Sequence, residues 1–200
     1  EDDRLPRGLR IPTHITDVAN EDDVKRFAAE VAKQHDTDKI HLLFNNAGIG
    51  GGGRMIVHER SEWERTFNIC WFGVYYCTRA FLPMMLKADR GHIVNTSSVN
   101  GFWASIGPGL PHTAYSAAKF AVKGFTEALI ADFSKHAPHI GVSVVMPGHV
   151  GTDISANSRK VLRGDWNEKP APEEFARVRA RFSRGGRDTS QLSDEQLQAL

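Results

Sequence analysis

Apolar and polar positions alternate in two distinct rhythms along this chain. Three short apolar runs, residues 40–44, 92–96 and 142–146, have the length and β-branched content of buried strands. About fifty residues separate each from the next, room for a long crossover helix and so for parallel pairing. A fourth run, residues 10–15, is a further strand candidate. Between the runs the period changes to that of a helix. Asn20 is placed to cap one helix, with Asp23 reaching back, and Val24, Phe27, Ala28 and Val31 form its apolar stripe. Ser61-Glu62-Trp63-Glu64 reads as a capping box opening a second helix. Along it Trp63, Phe67, Cys70, Val74, Cys77 and Phe81 make one apolar face. Trp71, Phe72, Tyr75 and Tyr76 make another, so this helix is expected to be covered on more than one side. Pro83 is expected to kink or end it. A third helix begins near Thr113 and turns Ala118, Val122, Phe125, Leu129 and Phe133 inward. Alternating strand and helix predicts an α/β fold with a doubly wound parallel sheet in a single domain.

The 200 residues suffice for one such domain with a sizeable core, and a net charge of +1 argues against general polyanion binding. No signal-peptide pattern is evident at the start and no run of eighteen apolar residues occurs, so a cytoplasmic, non-membrane protein is the expectation. Cys70 and Cys77 lie seven positions apart on one helix, about 10 Å by helical rise, too far for a disulfide. They are expected to be free thiols. The nine histidines are scattered and show no zinc-ligand spacing, so no metal site is expected.

Candidate chemistry centres on Tyr115-Ser116-Ala117-Ala118-Lys119. A spacing of four places the phenol and the ammonium on one helical face. A free tyrosine titrates near about 10, and a neighbouring cation favours its phenolate, bringing it toward the working range of an acid/base group. Ser97-Ser98, closing a strand just before, offers a hydroxyl to hold a substrate oxygen. Taken alone, Tyr-x-x-x-Lys on a helix is more often a half-buried aromatic beside a solvated charge.

Its company changes that. Asn45-Asn46-Ala47-Gly48 follows one strand, Ser97-Ser98 a second and Pro147-Gly148 a third. In this order and spacing the chain, from about Asp17 to Thr152, resembles the short-chain dehydrogenase/reductase family. The resemblance implies a Rossmann-like sheet, NAD or NADP as cofactor, and interconversion of a secondary alcohol and a ketone. It implies Tyr115 as general acid/base, Lys119 on the nicotinamide ribose, and Ser98 orienting the substrate oxygen. It implies contacts to the dinucleotide from Asp17, Val18, Asn45, Ala47 and Gly48, and from Pro147, Gly148, Val150 and Thr152. A turn or capping role is the alternative for Asp17, and a sheet-stabilising turn for the asparagines. The two long helices are those through which family members pair, so a homodimer or homotetramer is expected. Residues 1–152 would form the dinucleotide-binding core and 153–200 the segment covering the substrate.

The chain departs from the family pattern in several places. Cys70 stands where the family has an asparagine, seven residues after Trp63, and Asn68 lies two residues earlier on another side of the helix. A thiol cannot replace both functions of an amide, so a three-residue site with a weakened proton relay is expected, and Cys70→Asn should raise turnover. No glycine-rich first turn precedes the first strand, which reads as a fragment or an incomplete record with an open sheet edge. Gly48-Ile49-Gly50-Gly51-Gly52-Gly53 satisfies G-x-G-x-x-G, but residues 54–60 intervene before the next helix, so it reads as a loop. The gap of seventeen from Ser98 to Tyr115 is long for the family, the extra length being Gly107-Pro108-Gly109-Leu110-Pro111. Phe102, Trp103, Ile106 and Trp166 suggest an apolar pocket wall and a small lipophilic substrate, although plain packing would use the same residues.

Two other functions compete. A non-catalytic dinucleotide-binding sensor or scaffold is supported by Cys70 and opposed by the intact Ser98, Tyr115 and Lys119. Nucleic-acid binding could use Arg177, Arg179, Arg181, Arg184 and Arg187, the first three on an arginine-rich helix at 173–182. Near-neutral charge and the acids Glu173, Glu174 and Asp188 favour a solvated face there, so no nucleic-acid partner is expected.

Overall fold

A computed structural model describes residues 11–50, 55–56, 58–104, 112–148, 150–163 and 188–193, with single positions between 172 and 183. Three strands form a parallel sheet in the order β1-β2-β3, with β1 Leu42–Asn45, β2 Gly91–Thr96 and β3 Ile140–Val145. Each lies within two residues of its predicted run, the usual disagreement at element ends. The register pairs Asn45 with Asn95 and Thr96 with Val145.

The helices are α1 Glu21–His35, α2 Arg60–Phe67, α3 Gly73–Leu86, α4 Thr113–His136 and α5 Ile154–Arg163. A π-helical turn, Asn68–Phe72, joins α2 to α3, making one continuous helix of 27 residues. It is long and apolar enough to cross a bilayer, but half of its most apolar window is buried against the sheet and neighbouring helices, as in a core helix. Along it, Thr66, Cys70, Val74 and Thr78 are all buried. A repeat of four drifts about 40° per step on an α-helix of 3.6 residues per turn. The wider π turn takes up part of that drift and keeps these side chains on one buried side of the helix.

Three local expectations are corrected. Residues 11–15 form no strand, and position 10 lies outside the described residues. Their side chains do alternate in burial, with His14 bonded to Glu30 at 2.8 Å and its ring 5.1 Å from that of Phe27. Among the described residues no strand lies beside them to share a ladder, and the Ile15 carbonyl accepts from the Arg26 guanidinium instead. The Ser61 capping box does not form. Helix α2 starts two residues earlier, at Arg60 after Glu59, which makes no side-chain cap bond. The two acids of the box are held by basic neighbours four residues before them, Glu62 by His58 and Glu64 by Arg60. Pro83 does not end the long helix at once: it lies in the last turn of α3, which continues three residues beyond it to Leu86. Elsewhere Asn20 caps α1 through its side chain, but Asp23 reaches the Asp17 amide rather than that of Asn20.

One side of the sheet carries the core. Ile93 packs with Met85, Phe133 and Ile140, while Val24 and Ala28 of α1 meet Cys77 and Phe81 of α3. Leu42, Phe44 and Val145 on the opposite side are 62%, 64% and 45% exposed. Beneath the strand ends runs a buried polar chain. Asn45 Nδ2 donates to Thr78 Oγ1 (3.0 Å) and Asn95 Oδ1 (2.8 Å), and Asn95 Nδ2 donates to Thr126 Oγ1 (3.0 Å). It ties β1 and β2 to α3 and α4 at one level.

Candidate active site

The carboxyl ends of parallel strands are where such a sheet leaves its ligand crevice, and the predicted residues converge there. Beyond β2, the Ser97 amide donates to the Val145 carbonyl at 2.8 Å and its hydroxyl to the Lys119 carbonyl at 2.7 Å, fixing the turn to both β3 and α4. Ser98 accepts from the Asn100 amide at 3.1 Å and hydrogen-bonds the Tyr115 hydroxyl. The Val99 amide reaches the Pro147 carbonyl at 3.0 Å, bringing the third strand-end turn against the second.

Helix α4 presents Tyr115 and Lys119 one turn apart, the ammonium 5.6 Å from the centre of the phenol ring. Lys119 is buried and donates to the Thr96 carbonyl at 2.8 Å. Thr96 in turn donates its hydroxyl to Asn46 Oδ1 at 3.0 Å, joining the first strand-end turn to the second. A Cβ on Gly48 would stand 3.7 Å from Lys119 Nζ and 3.9 Å from Cys70 Sγ, so all three residues meet at one point. Cys70 is fully buried and donates to the Ile49 carbonyl at 3.4 Å.

The electrostatics correct one expectation. Tyr115 is not made more acidic here: burial raises its pKa, and the Ser98 hydrogen bond opposes only part of that. Burial also lowers the pKa of Lys119, disfavouring the very charge expected to act on the phenol. The Cys70 thiol is raised by burial, with the Lys119 charge pulling the other way. Both cysteines are free, as expected, and no cluster of metal-ligating side chains occurs among the described residues.

Other predicted residues fall around this centre in different ways. Asn45 turns its amide into the core. Asp17 turns its carboxylate onto the Ala19 amide at 3.0 Å, as a turn residue does. Val18 packs beside Ile49 and Cys70, closing on Gly73. Val150 is 59% exposed and linked to Thr152 through the backbone. Space is open at Gly148 and Gly151. Small residues at the first strand end, open backbone at the third and a buried ammonium between them fit the nicotinamide half of a dinucleotide. The glycines 51–53, the insertion 107–111, Ile106, Trp166 and most of 173–182 lie outside the described residues. Arg179 is described, and its guanidinium donates to the Thr189 and Leu192 carbonyls rather than facing a polyanion.

Sequence reasoning missed helix α5. Its Ser158 hydroxyl accepts from the Gly50 amide at 2.6 Å, and Val161 and Leu162 join the cluster around Ile49 and Tyr115. The spacing Ile154, Val161, Leu162 was its only signal. The Thr96 carbonyl was also missed, since a backbone acceptor leaves no trace in side-chain patterns.

The family model described as short chain dehydrogenase matches residues 7–162. The chain belongs to the short-chain dehydrogenase family. A 3-ketodihydrosphingosine reductase of Bacteroides thetaiotaomicron is 36% identical over 72% of this chain and 50% of its own. A short-chain dehydrogenase/reductase from Burkholderia phymatum, solved in complex with NAD, superposes with a TM-score of 0.67. It is 31% identical, covering 92% of this chain and 64% of its own. A metagenomic short-chain oxidoreductase in complex with NADP gives a TM-score of 0.60 at 30% identity, covering 78% of this chain and 69% of its own. The fold is thus a Rossmann-like α/β domain of the oxidoreductase type. The chain spans about half the length of the first curated relatives it matches.

Proposed function

We propose that this protein is an NAD(P)-dependent oxidoreductase that interconverts a secondary alcohol and a ketone. The observation that carries the reading is the meeting of Ser98, Tyr115 and Lys119 at the strand ends, with Ser98 bonded to Tyr115 and Lys119 held by Thr96. A bound nicotinamide supplies the hydride acceptor or donor. Ser98 orients the substrate oxygen, and Tyr115 Oη takes the proton from the alcohol or returns it to the ketone oxygen. Lys119 lies beside the phenol and is within reach of a ribose placed at Gly48. Burial raises the pKa of the phenol and so keeps it protonated, the state that donates to a ketone. Water-excluding Ile49, Val161 and Leu162 line one side.

The dinucleotide would contact Val18, Ala47, Gly48, Pro147, Gly148, Val150 and Thr152, with Asn45 acting through its backbone and Asp17 near the adenine. Residues 1–152 would form the core and 153–200 the substrate cover. A small lipophilic alcohol or ketone as partner, pairing of the long helices in a homodimer or homotetramer, and a cytoplasmic location complete the reading.

The test is Tyr115→Phe, assayed with NAD(H) and NADP(H) against a panel of alcohols and ketones. Loss of general acid/base catalysis is expected to lower kcat by about a hundredfold or more. Equal turnover by the wild type and Tyr115→Phe would refute the assignment.

A further inference from the structure

We infer that Ser97, the neighbour of the serine assigned to the substrate oxygen, is a positioning residue whose hydroxyl holds Lys119, and with it Tyr115, at a set spacing from Ser98. This deepens the proposed oxidoreductase reading and rests on it. A serine in a turn commonly directs its hydroxyl to a nearby amide, and Ser98 does so, accepting from Asn100. Ser97 does not. Its hydroxyl reaches across 22 positions to donate to the Lys119 carbonyl at 2.7 Å. Lys119 lies inside α4, where that carbonyl faces a helical N–H, so the serine takes its second lone pair. Ser97 and Lys119 are 2% and 4% exposed. A Cβ on Gly101 would collide with Ser97 Oγ and stand 2.6 Å from the Lys119 carbonyl oxygen. The glycine therefore lies over the bond and shuts water out of it.

Three bonds join this strand end to the turn of α4 that carries the reacting groups. The Thr96 carbonyl takes the Lys119 ammonium at 2.8 Å, the Ser97 hydroxyl takes the Lys119 carbonyl, and Ser98 meets the Tyr115 hydroxyl. Two of the three are open to exchange when ligands bind. A substrate oxygen between Ser98 and Tyr115 replaces their mutual bond, and an ammonium with three donors can turn one of them to a ribose hydroxyl. The Ser97 bond uses no reacting atom, so it alone of the three persists through the cycle. Behind it, the Ser97 amide donates to the Val145 carbonyl at 2.8 Å, and Thr96 pairs with Val145 in the sheet, which ties the fixed point to β3. Helix α4 is thus pinned to the sheet at Lys119 while Tyr115, one turn away, changes partners.

The experiment compares the full chain with Ser97→Ala on the panel of alcohols and ketones. Alongside, NMR of the nitrogen-labelled lysines follows proton exchange at the Lys119 ammonium, its signal identified by its absence in Lys119→Met. In the wild type this ammonium, buried and bonded to Thr96, is expected to exchange slowly. In Ser97→Ala exchange should quicken about fivefold, the worth of one hydrogen bond. Misplacing the proton-transfer group should lower kcat by about ten- to a hundredfold. The solvent deuterium isotope effect on kcat should rise with it, because proton transfer becomes the slow step; partial unfolding lowers the apparent kcat and leaves that ratio alone. Should Ser97→Ala fail to fold, Gly101→Ala, which must displace the same hydroxyl, takes its place with the same expectations. Rapid exchange in the wild type, unchanged exchange in the variant, a kcat within about twofold of wild type, or a lower kcat at an unchanged isotope effect would overturn the inference. Quickened exchange in the variant with no turnover by the wild type would instead refute the oxidoreductase reading and leave Ser97 as the anchor of Lys119.

Discussion

Replacing Thr126 with valine tests the buried polar chain that sets the height of the strand ends. Thr126 is fully buried; its hydroxyl donates to the Val122 carbonyl at 2.6 Å and accepts from Asn95 Nδ2 at 3.0 Å. Valine has nearly the same shape and the same β-branching, so cavity and helix-propensity effects nearly cancel. What remains is the lost hydrogen bond, about 1 kcal/mol, and a buried amide donor on Asn95 left without its partner, about 1–3 kcal/mol. The Val122 carbonyl keeps its helical N–H. A net loss of about 2 kcal/mol follows, or a fall in Tm of about 5 °C for a domain of this size. Urea unfolding followed by circular dichroism should show a lower midpoint at unchanged slope. In an Asn95→Ala background the stranded donor no longer exists, and Thr126→Val should cost less than about 1 kcal/mol. A cost below about 0.5 kcal/mol in the wild-type background, or an equal cost in both backgrounds, would refute the reasoning.

Other outcomes follow from the same geometry. Because burial lowers the Lys119 pKa from 10.5, the unfolded chain holds that proton more tightly, so native stability rises with pH through the window between the folded value and 10.5. Lys119→Met should therefore be most favourable relative to wild type at low pH, with an advantage that shrinks as pH climbs; a pH-independent difference in urea unfolding would contradict this. Gly101→Ala must push a methyl against the Lys119 carbonyl and should destabilise by about 2 kcal/mol. Gly124→Ala, where nothing lies within 4 Å, should stabilise α4 by about 0.5–1 kcal/mol. Thermal melts that ranked the two glycine variants the other way would exclude this account. Cys70 is fully buried, and burial pushes the Cys77 thiol up to about 11. A thiol reagent at neutral pH should leave both unmodified in the native chain and label both in denaturant.

The strands, the three long helices and the pairing of Tyr115 with Lys119 were legible because each depends on local periodicity or on a spacing of four, whereas Ser98 was joined to them through the family resemblance. The sequence also placed Cys70 beside the lysine by counting from Trp63. What it could not show were consequences of tertiary packing. The acidity of Tyr115 was misjudged because a neighbouring charge is visible in a helix repeat and the depth of burial is not. The capping box at Ser61 failed because His58 and Arg60 bond its two acids. Residues 11–15 alternate as a strand does, but a strand is defined by a neighbour. The roles of Asn45 and Asn95 were only partly readable: an asparagine amid valine and isoleucine signals a buried partner without naming Thr78 or Thr126.

The π turn at Asn68–Phe72 makes the two halves of the long helix independently phased. A turn of i→i+5 bonds holds one residue more than the α turn it replaces, so deleting a residue from it would restore a plain α-helix, whereas deleting one from the α-helical stretch just before it would swing everything beyond by about 100° around the axis. Val74, Thr78 and Phe81 would leave the sheet, and Cys70 would leave Gly48. The spacing between Trp63 and Gly73 therefore acts as a ruler, holding the wall that faces Gly48 and the wall that faces the sheet in step along one helix.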